Sequence, residues 1–112
     1  MRIAIPVADG RLCMHFGHCE RFALVDADEA TKQVNETRYV TPPPHAPGVL
    51  PQWLAEQGAT VILAGGMGSR AQALFSQSGI SVVTGAPSVE PEAAAKAYLD
   101  GSLVIGDNVC DH

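Results

Sequence analysis

The stretch TVILAGGMGSRAQALFSQSG, Thr60–Gly79, reads as strand, glycine turn and helix in immediate succession. Val61, Ile62, Leu63 and Ala64 form a short unbroken apolar run, the pattern of a strand buried on both faces. Gly65, Gly66, Met67 and Gly68 follow directly. Ala71, Leu74, Phe75 and Ser78 then recur at helical spacing, and Gly79 supplies a stop. A helix that starts on a glycine turn leaves backbone N–H groups without intrahelical acceptors and carries a partial positive charge, which suits an anion. The same glycines also serve a tight connection that needs them only for its dihedrals, and the sequence leaves both readings open. No Lys follows the last glycine and the spacing is not G-x-G-x-x-G, so a nucleoside triphosphate loop is not indicated.

Working outward toward the N-terminus, Ile3, Ile5 and Val7 alternate with Ala4 and Pro6 as a first strand that ends at the turn dipeptide Asp9-Gly10. Arg21–Asp26 and Gln33–Val40 read as a second and third strand, joined across the polar residues Ala27–Lys32 as an antiparallel hairpin. Thr41–Pro51 holds five prolines and must be a loop, with Pro51 placed to enter the first turn of a helix that ends near Gly58. Beyond the central unit, Ser81–Val83 is a short strand. Ser88, ahead of Glu90, Pro91 and Glu92, is expected to cap a last helix that Gly101 ends.

Strands that pair early and then alternate with helices predict an α/β fold, a mixed five-stranded sheet flanked by about three helices. With the first strand inside, the strand order expected is 3-2-1-4-5, a ribonuclease H-like three-layer topology. A single domain over residues 1–102 and a tail over residues 103–112 are expected. The 112 residues suffice for one core. No apolar run reaches the roughly 20 residues of a membrane span, and the strand-like start at Met1 gives no sign of a secretion signal. A net charge of −5 with scattered Lys and Arg argues against nucleic acid and anionic membrane surfaces as partners. Three cysteines without a secretion signal point to reduced thiols in a cytoplasm, available for metal or redox chemistry.

That chemistry concentrates in Cys13-Met14-His15-Phe16-Gly17-His18-Cys19, which places two thiols, two imidazoles and a thioether in the loop after the first strand. Soft sulfur and imidazole donors are the set that binds zinc, copper(I) or iron–sulfur species. His15 and His18 are the leading ligand candidates. Cys13 and Cys19 are either ligands or small buried apolar residues, and the spacing is not C-x-x-C. Cys110-Asp111-His112 at the chain end is either a second ligand pair or an ordinary tail, and His45 in the proline loop is either a ligand or simply solvated.

Taken together, His15-Phe16-Gly17 with Phe22 downstream, the Pro42–Gly48 loop and Ala64-Gly65-Gly66-Met67-Gly68 resemble the dinitrogenase iron–molybdenum cofactor biosynthesis family. That family includes NifX, the C-terminal domain of NifB-type proteins and stand-alone members such as the orange protein. The resemblance covers essentially the whole chain. It implies a ribonuclease H-like fold and binding, storage or delivery of an anionic metal–sulfur cluster (iron–molybdenum, iron–sulfur or molybdenum–copper). It implies a small accessory protein rather than an enzyme, with cluster donors or acceptors as partners and a monomeric or weakly oligomeric state. His15 and the turn Gly65, Gly66, Met67 and Gly68 are the binding residues the resemblance implies; Phe16, Gly17 and His18 are expected beside them from the loop itself, with no catalytic residue. If the first and fourth strands are parallel neighbours, both loops open on one sheet edge.

Three rival functions weigh against this reading. A metal-dependent nuclease needs clustered carboxylates, and the first strand, Ile3–Ala8, has none. A thiol enzyme built on Cys13 or Cys19 beside His15 lacks an evident third orienting residue. A thiol-based redox or regulatory protein-interaction module without a stable cluster stays as the alternative.

Overall fold

The computed structural model of the protein describes residues 1–14, 19–44, 48–103, 105 and 106. Nine elements follow one another: β1 (Arg2–Ala8), β2 (Arg11–Leu12), β3 (Arg21–Asp28), β4 (Gln33–Val40), α1 (Val49–Glu56), β5 (Val61–Leu63), α2 (Ser69–Gln77), β6 (Ser81–Val83) and α3 (Pro91–Asp100). Among the described residues the strands form one mixed sheet in the order β4-β3-β1-β5-β6, with β2 paired to β1 off that path.

β1 is where strand direction changes. It runs antiparallel to β3, with Ile3 opposite Val25 and Ile5 opposite Ala23, and parallel to β5, with Ile3 opposite Val61 and Ala4 opposite Ile62. Its period-two alternation sorts the core into two layers. Ile3, Ile5 and Val7 share one cluster with Val61, Leu63 and the α3 residues Ala94 and Ala95. Ala4 joins Phe22, Leu24 and Ile62 on the opposite face, where Leu50 and Leu54 of α1 and Phe75 of α2 cover the sheet. Helices on both faces make the expected three-layer, ribonuclease H-like arrangement. They also explain why β1 and β5 carry no polar side chain in their buried stretches. Among the described residues, no helix is long and apolar enough to cross a membrane.

Three local expectations need correction. The sheet has six strands rather than five, so the stated order 3-2-1-4-5 becomes the one given above. The additional strand arises because Asp9 and Gly10 both adopt positive φ, 54° and 75°, the geometry of a two-residue hairpin turn. The chain therefore folds back to pair Leu12 with Val7. The hairpin's first strand extends to Asp28, since a register shift at Asp26/Ala27 absorbs the irregularity. The Asp28 carboxylate then accepts the Ala30 and Thr31 amides to form the turn. Finally, Ser88 does not cap α3. Its hydroxyl donates to the Leu12 carbonyl at 2.9 Å, Glu90 occupies the N-cap position without a side-chain cap, and Pro91 opens the helix.

Candidate functional site

The edge of the sheet at the C-terminal ends of β1, β5 and β6 is assembled from four separate stretches. The first is the chain that leaves β2. Leu12 is clamped there by its amide, which donates to the Val89 carbonyl at 2.8 Å, and by the Ser88 hydroxyl on its own carbonyl. The Cys13 amide donates to the Pro6 carbonyl at 2.8 Å, and the Glu20 amide donates to the Val7 carbonyl at 2.8 Å. Both ends of the Cys13–Cys19 loop are thus fastened to the last residues of β1.

The second stretch is the glycine turn after β5. Gly65, Gly66 and Met67 are buried and Gly68 is half-buried. A Cβ built on Gly65 would lie 2.8 Å from the Met14 Cα, 3.1 Å from its carbonyl oxygen and 3.1 Å from its Sδ. Met14 therefore rests directly on the turn, and the bareness of Gly65 is used for this backbone approach. The two loops singled out in the sequence are in contact.

Helix α2 starts at the end of that turn with no side-chain cap and no acidic residue in its first turn. The amides of Ser69, Arg70 and Ala71 have no intrahelical acceptor by helix geometry, and Ser69 and Arg70 are exposed. The Gln72 side chain donates to the Met67 carbonyl at 2.8 Å, which holds the turn against the helix. An anion at this start meets backbone donors, the positive end of the helix and a nearby guanidinium.

Two further stretches complete the edge, and neither was found by reading the sequence. The Gly85 amide donates to the Gly65 carbonyl at 2.8 Å, and the Gly85 carbonyl accepts the Gly106 amide at 2.7 Å. The available signal was a second glycine just past a short apolar strand, at the place in β6 that matches the glycine turn of β5.

The sulfur donors lie on this edge. Cys13 is buried, Met14 is 37% exposed, and Cys19 packs against the cluster that contains Phe22 and Met67. Burial pushes the Cys19 thiol up to about 11, and the neighbouring Cys13 adds to the shift. Cys19 is therefore protonated at neutral pH and is not an activated nucleophile. Among the described residues no group of three or more His, Cys, Asp and Glu side chains is placed to hold a metal ion. His15, Phe16, Gly17, His18, His45, Cys110 and His112 lie outside the described residues, and with them all four histidines. The sulfur of Cys13, Met14 and Cys19 beside an uncapped helix start is a donor set suited to a thiophilic, anionic species.

By contrast, the surface hollow lined by Met1, Ala27, Asp28, Glu29, Ala30 and Asn35 lies at the opposite end of β1. It carries carboxylates and no sulfur except that of Met1.

Comparison with known proteins adds four findings. A family described as dinitrogenase iron-molybdenum cofactor matches residues 1–101. The uncharacterized protein MJ0580 of Methanocaldococcus jannaschii is 30% identical over 106 residues, covering 92% of this chain and 89% of the relative. Among solved structures, PH0822 superposes with a TM-score of 0.84 at 35% identity, covering 95% of this chain and 96% of the other. The apo form of the orange protein from Desulfovibrio gigas superposes with a TM-score of 0.69 at 28% identity, covering 96% of this chain and 93% of the other.

Proposed function

The chain belongs to the dinitrogenase iron-molybdenum cofactor family, and from that premise we propose that it is a small carrier that binds, stores or delivers an anionic metal–sulfur cluster. The cluster is cargo of the iron–molybdenum, iron–sulfur or molybdenum–copper type, and the chain is not an enzyme. The observation that carries this reading is the seating of Met14 on Gly65, which joins a loop rich in soft ligands to an uncapped helix start. Imidazole and sulfur from His15, His18, Cys13 and Cys19 would hold metal atoms. Amides of Gly68 and the first turn of α2 would hydrogen-bond the sulfides, on a turn that the buried Gly66 and Met67 form beneath them. His45, Cys110 and His112 are further ligand candidates. Phe16 and Gly17, between the two histidines in the sequence, are binding residues under the same reading.

Partners under this reading are the proteins that donate or accept the cluster, in a reducing cytoplasm, with the chain monomeric or weakly self-associated.

Purification without chelator, with an absorption spectrum and metal and sulfide analysis, tests the proposal. Visible absorption with stoichiometric metal and sulfide, or its appearance after incubation with copper(I) and tetrathiomolybdate, is the expected result. A colourless protein that takes up no metal–sulfide species would overturn it. Gly66→Val should block the approach of cargo to the turn while leaving the folded sheet in place.

A further inference from the structure

β4 closes one side of the sheet. Its neighbour is β3, and among the described residues no other strand pairs with it. The outer row of its backbone N–H and C=O groups is therefore open to a further strand. β4 offers eight residues there, whereas β6 on the opposite border has three. Neither proline nor lysine interrupts Gln33–Val40, and Val34, Thr37, Tyr39 and Val40 favour extended chain.

The charges along this border are arranged symmetrically. Arg38 stands opposite Leu24 and Glu36 opposite Asp26, on the face covered by α1 and α2, while Thr37 stands opposite Val25 on the α3 face. Glu36 and Arg38 are exposed, and among the described residues neither enters an ion pair. They carry opposite charges one step to either side of Thr37. When a strand pairs antiparallel with its own copy about a two-fold axis, one residue opposes itself. With the axis at Thr37, Glu36 meets Arg38 of the second copy and Arg38 meets Glu36 of the second copy. An axis at Glu36 or Arg38 would oppose like charges, and one at Asn35 would set Arg38 against Lys32. An axis at Tyr39 would leave both charges without a counter-charge. The same register at Thr37 places two threonines across from each other, a pair able to hydrogen-bond. The Thr37 hydroxyl is buried and has no partner among the described residues.

We propose that β4 is a self-association border, on which two copies of the chain pair antiparallel about Thr37 and join two six-stranded sheets into one. The register shift at Asp26/Ala27 leaves Asn35 without a counterpart on β3. A bulge there bends the strand, so the contact centres on Glu36–Arg38. The interface is accordingly small, below the roughly 1,200 Å² of stable complexes, with a Kd on the order of 0.1 mM. β4 is antiparallel to β3 and β3 to β1, so β4 runs in the direction of β1 and β5. The two-fold therefore sends the two glycine-turn edges to opposite ends of the joined sheet. Association leaves both open, and it stands independently of the carrier reading.

Sedimentation equilibrium of the full chain tests this, over about 10 µM to 1 mM and in about 0.15 M salt. The average mass should rise from 11.7 kDa toward twice that value. Glu36→Lys and Arg38→Glu should each raise the Kd by about tenfold or more, because symmetry makes every repulsive contact occur twice. An equimolar mixture of the two variants should regain parent-like association, since both contacts between unlike copies are then opposite-charge pairs. The double variant Glu36→Lys/Arg38→Glu should regain it as well. A chain damaged by its substitution could not recover on mixing, so the mixture separates charge pairing from misfolding. A parent that keeps the monomer mass up to about 1 mM would overturn the proposal and leave the border to a strand of another protein or to none. Single variants that associate as tightly as the parent, or a mixture as weak as its components, would overturn it too.

Discussion

Gly65→Ala is the sharpest probe of how the site is built. The substitution adds one methyl at a buried position whose nearest neighbour, the Met14 Cα, would lie 2.8 Å away. Ordinary carbon contacts begin near 3.4 Å, so backbone must yield by about 0.6 Å, and the Met14 chain is tied at Leu12 and Cys13 to Val89 and Pro6. Overpacking of a well-packed interior costs about 1–3 kcal/mol. With an unfolding entropy of about 2.1 cal/mol/K per residue over 112 residues, each kcal/mol corresponds to roughly 4 °C, giving an expected fall in Tm of about 4–13 °C. Thermal unfolding followed by circular dichroism on the cluster-free protein reads that fall, and absorbance after incubation with copper and tetrathiomolybdate reads cargo uptake. Both should drop, because relief of the clash separates the loop from the turn. A Tm within a degree of the parent together with full uptake would refute the reasoning, since the contact between Met14 and Gly65 would then be dispensable.

Other expectations follow from the core and the charges. Phe75→Ala empties the largest α2 side chain from the second cluster, where Phe75 is fully buried, and should cost about 3–5 kcal/mol in urea unfolding; a loss below about 1 kcal/mol would mean α2 is not held by it. The Arg2 guanidinium donates to Asp26 at 2.6 Å and holds that carboxyl below its usual 3.8. A depressed folded value stabilises the protein above about pH 4 and is lost as pH falls through it, so Asp26→Asn should flatten the acid end of the stability curve. The pair is partly exposed, so the difference should be about 1 kcal/mol or less; parallel curves between pH 3 and 7 would sink the assignment. At pH 8 the half-buried Cys19 thiol should alkylate about a hundredfold more slowly than an ordinary exposed cysteine and speed up with pH toward 11. Peptide mapping after iodoacetamide treatment decides this, and labelling at Cys19 as fast as that of an exposed cysteine would contradict the burial argument.

How far the sequence could be read depended on whether the deciding physics was local. Val61–Leu63, the glycine turn and α2 are legible because an unbroken apolar run, a glycine cluster and a 3.6-residue pattern are written in adjacent residues. Alternation in β1 announced its two faces for the same reason. The two-residue β2 escaped because its partner, Val7, defines it and its own composition does not. Ser88 was misread because its sequence neighbours fit a cap, whereas its hydroxyl is drawn to Leu12, far off in the chain. The approach of the two loops was foreseeable once β1 and β5 were set side by side. The role of Gly85 was not, since its φ of +80° and the backbone of the distant Gly106 demand its bareness, and neither is written in its sequence neighbours. The histidines that motivated the site lie outside the described residues, and their part in it stands on the sequence.

The parallel pairing of β1 with β5 has a consequence for how the protein is born. Synthesis delivers β1, β2, β3 and β4 first, and these can zip together as neighbours through hairpins. Ile3 must wait for Val61, and Gly65 for Gly85 and then Gly106, so the contacts that join the Cys13–Cys19 loop to the glycine turn depend on residues made later. At about 5–20 residues per second, a nascent chain spends seconds with its early strands formed and its binding edge still open. Under the carrier proposal, cargo loading falls after the Gly65–Gly85 and Gly85–Gly106 contacts have formed, because an intermediate without them presents the Cys13 and Cys19 thiols without the cradle.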